Sequence, residues 1–267
     1  MTVKPVGVQL REWRQRRHLS QLALACEAEI SSRHLSFLET GRSLPSREMV
    51  LHLAEQLSVP LRERNSLLVA AGYAPVFRER ALDDPTLQAA CKVIDLILAG
   101  HEPYPALAVD RHWTLVAANR TVPLLLAGIE PSLMVPPVNV LRISLHPFGL
   151  SKRIANLSQW RKHVLARLRR QIEASADPIL SELLNELSSY PVLKSENESA
   201  PSEIDYAGVA VPLQLSTHHG ILSFLSTTTV FGTPVDITLS ELALETFFPA
   251  DAFTSDCINR ILKQRPL

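Results

Sequence analysis

Between Leu19 and Arg42, LSQLALACEAEISSRHLSFLETGR, the apolar positions fall into two short runs with helical spacing, each opened by a serine. Ser20 precedes Gln21-Leu22-Ala23-Leu24-Ala25, where its hydroxyl accepts from an amide left unpaired in the first turn, and Leu22 and Ala25 give an apolar face. Ser31 opens the next run in the same way. Leu35 and Leu38 share one face there, and Gly41 stands where a left-handed residue ends a helix. Ile30 is the large apolar residue of the intervening turn, placed to fill the angle between two steeply crossing helices. Such a pair cannot bury its apolar face alone, and the flanks supply partners. Val8 to Arg17 turns Leu10 and Trp13 inward, Ser46 caps a helix with Met49, Val50, Leu53 and Leu57 inside, and a fifth helix runs from Pro60 to Gly72 with Leu61, Leu67, Leu68 and Ala71 apolar. The pattern predicts an all-α helix-turn-helix domain over 1–75.

After a link at 76–84, a second domain over 85–267 begins at Asp84-Pro85, cap and first residue of a helix with Leu87, Ala90, Cys91, Ile94 and Leu98 on one face. Ala106 to Val109 and Trp113 to Ala117 read as a hairpin, and Asn119 caps a helix from Thr121 to Leu126. From Val138 to Ser189 the chain reads as mainly helical. Ser195 to Glu203 is a polar, mobile loop, and AGVAVPLQLS and ILSFLSTTTVFG form an antiparallel hairpin about Thr217-His218-His219-Gly220. The order is that of an α+β domain with an antiparallel sheet.

With Leu35 and Leu38 turned inward, Ser32, Arg33, Ser36 and Phe37 project from the second helix of the pair, as base-reading residues do. Arg33 is the candidate for guanine, where a guanidinium bonds O6 and N7 together, and Phe37 suits a thymine methyl. Gln21, Ser31 and Arg42 sit at helix ends, where phosphate contacts belong. The alternative is that these arginines are solvated surface charges. Charge distribution favours the first reading: through Arg80 twelve Lys and Arg face eight Asp and Glu, a net of +4 in a chain that balances at 27 against 27. Double-stranded DNA is the expected partner. Reading by two copies, a homodimer, suits a pseudo-palindrome.

The arrangement LSQ, LA, IS, L, E-x-GR and P resembles the lambda-repressor-like, XRE-type helix-turn-helix domains, and SSRHLSFLETGRSLPSREMVLHLAEQLSVPLRERNSLLVAAGYAP is similar to the MmyB-like regulators. The likeness continues through HEPYPALAVDRHWTLVAAN, NVLRISLHPFGL and TPVDITLSELALETFFPAD. The resemblance implies a DNA-binding domain joined to a PAS-like ligand-binding domain that takes a fatty acid or similar lipophile. Glu29 departs from it, standing in the turn where many such proteins carry glycine.

Leu124, Leu125, Leu126, Leu141, Ile143, Leu145, Leu222, Phe224 and Leu225 provide apolar side chains for a core and for a cavity within it. Arg142 and His146 are the candidates for an acidic head group, since both donate charge-assisted hydrogen bonds. Equally, Arg142 can pair with a structural carboxylate and His146 can cap a helix end. A hydrophobic fraction of 46% with 20% charged residues places the chain among folded proteins rather than disordered ones. No apolar run is long enough to span a bilayer and the N-terminus lacks the apolar core of a signal peptide, so the expected location is the cytoplasm. Cys26, Cys91 and Cys257 have neither disulfide nor zinc spacing. No metal site, cofactor or catalytic residue is expected: His101, His112, His146, His163, His218 and His219 are scattered, and no nucleophile turn or phosphate-cradling glycine loop is present. Two further readings stand beside the ligand sensor: a ligand-independent regulator whose second domain serves dimerisation or recruitment, and an enzyme carrying a DNA-binding head.

Overall fold

The computed structural model describes residues 4–191 and 210–263, so the polar stretch Ser195 to Glu203 lies outside the described residues. The chain divides into two units, one of Met1–Arg80 with Glu173–Ala176 and Thr233–Ser240, the other of Ala81–Ile172 with Asp177–Gly232 and Glu241–Leu267.

The first unit holds α1 (Val6–Arg16), α2 (Gln21–Glu27), α3 (Ser32–Glu39), α4 (Arg47–Gln56) and α5 (Leu61–Ala70). Serine hydroxyls start three of them: Ser20, Ser31 and Ser46 accept from the amides of Ala23, His34 and Met49 at 3.0, 3.1 and 3.2 Å. All five stop at a left-handed residue, namely His18, Glu29, Gly41, Ser58 and Gly72. Glu29 takes that conformation at φ 52°, with its own amide bonded to Cys26 O and that of Ile30 to Ala25 O. The turn therefore keeps the glycine geometry without the glycine. Leu10, Leu24, Leu35, Leu38, Leu53, Leu57, Leu67 and Leu68 form the core, with Trp13 and Val50. One expectation is corrected: Leu22 is 65% exposed, because Leu24, Ala25 and Ala28 form the inward face of α2. Gly7 lets α1 lie against the end of α3, where an added Cβ would stand 2.2 Å from the Leu38 carbonyl oxygen.

The second unit opens at a 3-10 turn, Pro85–Leu87, where the Asp84 carboxylate accepts from the Thr86 amide, and continues into α6 (Gln88–Gly100). There follow β1 (Ala106–Val109), β2 (Leu115–Ala118), α7 (Thr121–Leu125), α8 (Val140–Leu145), α9 (Leu157–Ser175) and α10 (Pro178–Ser189). The chain then forms β3 (Leu213–Thr217), β4 (Gly220–Val230), α11 (Ile237–Ser240), β5 (Ala243–Pro249) and α12 (Ala252–Lys263), α11 lying in the first unit. The strands make an antiparallel sheet in the order β2-β1-β5-β4-β3. The expected hairpin about residues 217–220 is present, with Gly220 already the first residue of β4. Asn119 is not the cap expected of it, since Arg120 holds the N-cap position of α7; instead its Oδ1 accepts from the Thr121 and Ala106 amides and its Nδ2 donates to the Leu98 and Tyr104 carbonyls, tying α6, β1 and α7 together.

Leu107, Val109 and Leu215 on the sheet pack with Ile143, Trp160, Val164, Leu168 and Leu180 of the helices. Leu222 and Phe224 pack beneath α12 with Cys257 and Ile258. Among the described residues, no helix is long and apolar enough to cross a membrane.

Two backbone positions make opposite stability predictions for the first unit. Gly7→Ala should lower its stability by about 2 kcal/mol through overpacking, and Glu29→Gly should raise it by about 1 kcal/mol by relieving the left-handed residue. Amide hydrogen exchange within α1–α5 measures both changes separately from the second unit.

Candidate functional site

The candidate reading face is the outer side of α3. Leu35 and Leu38 are buried, which turns the exposed Arg33 and the half-buried Ser32, Ser36 and Phe37 away from the core. Ser31 stands exposed at the helix start, its hydroxyl accepting from the His34 amide, and Arg42 is exposed just past the left-handed Gly41. Both guanidinium groups lie over the Phe37 ring, Arg33 at 5.4 Å and Arg42 at 5.9 Å from its centroid. Phe37 thus sets the position of two cations, a role its spacing alone did not reveal.

Behind this face lies a buried ionic anchor. The Glu39 carboxylate, 1% exposed, accepts from Arg14 Nε at 2.6 Å and Arg14 Nη2 at 2.8 Å. Gln21 Nε2 donates to the same carboxylate at 2.8 Å, and Arg14 Nη1 donates to the Leu19 carbonyl at 2.8 Å. The hydrogen bonds from Arg14 to Glu39 raise the guanidinium further above its ordinary value. Gln21, expected at a phosphate, therefore holds the first residue of α2 against the last turn of α3.

In the second unit, an apolar cavity of about 120 Å³ opens between the sheet and α7, α8 and α9. Trp113, Leu115, Leu126, Leu141, Ile143 and Trp160 form much of its wall, with Ser144, His163, Arg167, Ser226 and Glu245 as polar lining. An engineered apolar cavity of about 150 Å³ holds one benzene, so this space fits a short apolar group. Of the nine residues expected to supply a cavity, only Leu126, Leu141 and Ile143 line this one.

Arg142 and His146 are not among its lining residues. Arg142 is turned to Glu186, donating Nε and Nη2 to the carboxylate at 2.8 and 2.7 Å, and those bonds hold Glu186 below the usual carboxylate range. His146 ends α8, its Nδ1 accepting from the Phe148 amide at 3.1 Å and its ring meeting that of Tyr190 edge-on. Arg142 is thus paired with a carboxylate of α10, and His146 stands at the end of α8 against Tyr190.

The polar residues that do face the cavity were missed. Trp160, His163, Val164 and Arg167 fall at i, i+3, i+4 and i+7 on α9, a stripe that was visible as helical spacing. Glu245 is the lone acid inside the apolar run ALETFFP. His163 stacks on Trp160, and burial, with Arg167 and Arg170 nearby, keeps its imidazole below the ordinary value and so neutral at pH 7.

A more open groove of about 650 Å³ lies between α7, the β3–β4 turn and α12, with Arg153, His218 and His219 at its edge. Among the described residues, no group of three or more His, Cys, Asp or Glu side chains is arranged to hold a metal ion.

Removing the buried carboxylate should cost far more than a surface charge does. Glu39→Ala leaves Arg14 unpaired and should destabilise the first unit by about 3–5 kcal/mol, measured by hydrogen exchange in α1–α3.

Two family models match this architecture: a helix-turn-helix domain over residues 5–67, and the MmyB-like transcription regulator ligand binding domain over residues 91–260. A search of curated proteins finds no significant match.

Proposed function

The chain belongs to the MmyB-like transcription regulators, a DNA-binding head with a ligand-binding domain, and on that premise we propose how each part works. Arg33 reads a base in the major groove, Ser32, Ser36 and Phe37 contribute to that surface, and Ser31 and Arg42 hold phosphates. The observation that carries this is the exposure of Arg33 and Arg42 over one aromatic ring, on a helix whose opposite face is buried. Gln21 acts by fixing α2 to α3 through Glu39, and its place at the first turn of α2 still brings it near a phosphate.

The protein reads DNA as a homodimer in the cytoplasm. One such helix spans only a few base pairs, so two of them, about 34 Å apart, would read a pseudo-palindrome. Support for pairing comes from α6, which leaves Val93, Leu96 and Ile97 exposed on one side, an apolar stripe that a second copy can cover.

The ligand-binding domain is of the PAS-like kind, a reading supported by the antiparallel order β2-β1-β5-β4-β3 with helices enclosing an apolar cavity. Its ligand is a lipophilic small molecule with an alkyl or acyl chain, a fatty acid being the example that the resemblance suggests. The function is regulation, not catalysis. Ligand changes DNA affinity only by binding two conformations unequally.

Two measurements test this. On a duplex selected by the protein, Arg33→Ala should lose roughly 1–3 kcal/mol of discrimination at one base position, whereas Arg42→Ala should weaken all sequences and reduce the salt slope by about 1. Equal, sequence-independent losses from both would remove the division of roles. Saturating lipophile should also shift operator affinity by roughly 5-fold or more, the scale of ordinary coupling. An unchanged affinity and oligomeric state would favour the ligand-independent regulator.

A further inference from the structure

Of the described residues that line the apolar cavity, two carry a full charge, Arg167 and Glu245, and each is closed on the other. Arg167 Nη1 donates to Glu245 Oε2 at 3.0 Å, and Nη2 donates to Glu245 Oε1 and to Thr228 Oγ1, the latter at 2.6 Å. The Thr228 hydroxyl passes its own proton toward Glu245 Oε1 at 2.9 Å. The guanidinium carbon lies 4.5 Å from the centroid of the Trp113 ring, whose Nε1 donates to Gln171 at 2.8 Å. Strand register enforces the cluster: Glu245 of β5 stands opposite Leu107 of β1 on one side and Thr228 of β4 on the other.

A carboxylate entering this space meets a cation that is already taken. To bind the guanidinium fork it must displace Glu245, whose side chain is 5% exposed and would lose its counter-charge away from water. If it leaves the pair intact, a second negative charge lies in the same cavity as Glu245. Both outcomes oppose an ionised ligand. Among the described residues, the remaining polar lining is neutral. Trp160 Nε1 donates to Ser144 Oγ at 2.8 Å, which leaves the Ser144 proton to donate, and the Ser226 hydroxyl and the His163 imidazole complete the set. Such groups satisfy one hydroxyl or carbonyl at the end of an apolar chain.

We propose that this cavity selects uncharged amphiphiles, a short alkyl chain ending in a hydroxyl, carbonyl, ester or amide, and that Glu245 sets this specificity by occupying Arg167. The inference rests on the reading of the cavity as the ligand site. On this account a fatty acid enters only in its protonated form, and an ester or alcohol of equal length is the better ligand.

The test compares 1-hexanol, methyl hexanoate and hexanoate on the full chain at about pH 7, where hexanoate is ionised, with tryptophan fluorescence reporting on Trp113 and Trp160 in the cavity wall. The wild-type protein should bind the two neutral probes at least ~10-fold more tightly than hexanoate. Any apolar cavity favours neutral probes to some degree, so Glu245→Gln supplies the sharper readout. That change keeps the shape of the side chain, removes its charge and frees Arg167, and it should move the ratio of affinities at least ~10-fold toward hexanoate. A wild-type protein that binds hexanoate as tightly as its methyl ester overturns the proposal, and so does a folded Glu245→Gln whose ratio does not move. Should that variant fail to fold, hexanoate binding to the wild-type protein as tightly as its methyl ester still overturns the proposal. Absence of binding by all three probes would instead remove the cavity as the ligand site, and the head-group inference with it.

Discussion

The carboxylate of Glu39, in the last turn of α3 and almost wholly buried, is held by Arg14 of α1 and Gln21 of α2, so three helices meet at one charged point. A recognition helix must keep one face outside the core, and so it has fewer apolar contacts with which to fix its position. Here Leu35 and Leu38 supply those contacts, and the ion pair fixes the helix about its own axis. A buried pair contributes little net stability over an apolar substitute, but losing one partner is costly, so it punishes any arrangement in which α3 is turned. The same locking reaches the surface through Phe37, on which both exposed cations rest.

The ligand-binding unit uses the same chemistry for a different end. Arg167 and Glu245 neutralise each other at a cavity wall and are joined by Thr228 from the neighbouring strand. In the DNA-binding unit the closed pair leaves other arginines free to face a polyanion. In the cavity the closed pair removes the cation that would have attracted an acid. What a charged residue recognises therefore depends on whether a neighbour has already satisfied it, which residue type alone does not say.

Much of the first unit was legible because its signals are local. Serine caps, three-residue apolar spacing and Gly41 each act within a few residues, and the five helices begin and end close to where those signals lie. The exception, Leu22, shows that a helix of two turns offers too few positions to fix its inward face from spacing alone. The second unit was less legible because its determinants are distant in sequence. The strand Ala243–Pro249 lies between β1 and β4, yet Glu245 and Thr246 interrupt the apolar pattern that would announce a buried strand. In the sequence Arg142 is a cation among apolar residues. Its partner, Glu186, is on a helix that only tertiary packing brings near. The cavity residues of α9 had a helical stripe in plain view, but nothing local distinguishes a stripe that lines a cavity from one that fills a core.

Base reading by the outer face of α3 is tested most directly by selecting bound duplexes from a random pool and mapping methylation interference on the selected sites. The pool should converge on a pseudo-palindrome in which methylation of guanine N7, on the major-groove edge, blocks binding at two patches about one helical turn apart. A pool that does not converge, or interference confined to adenine N3 in the minor groove, would contradict the account.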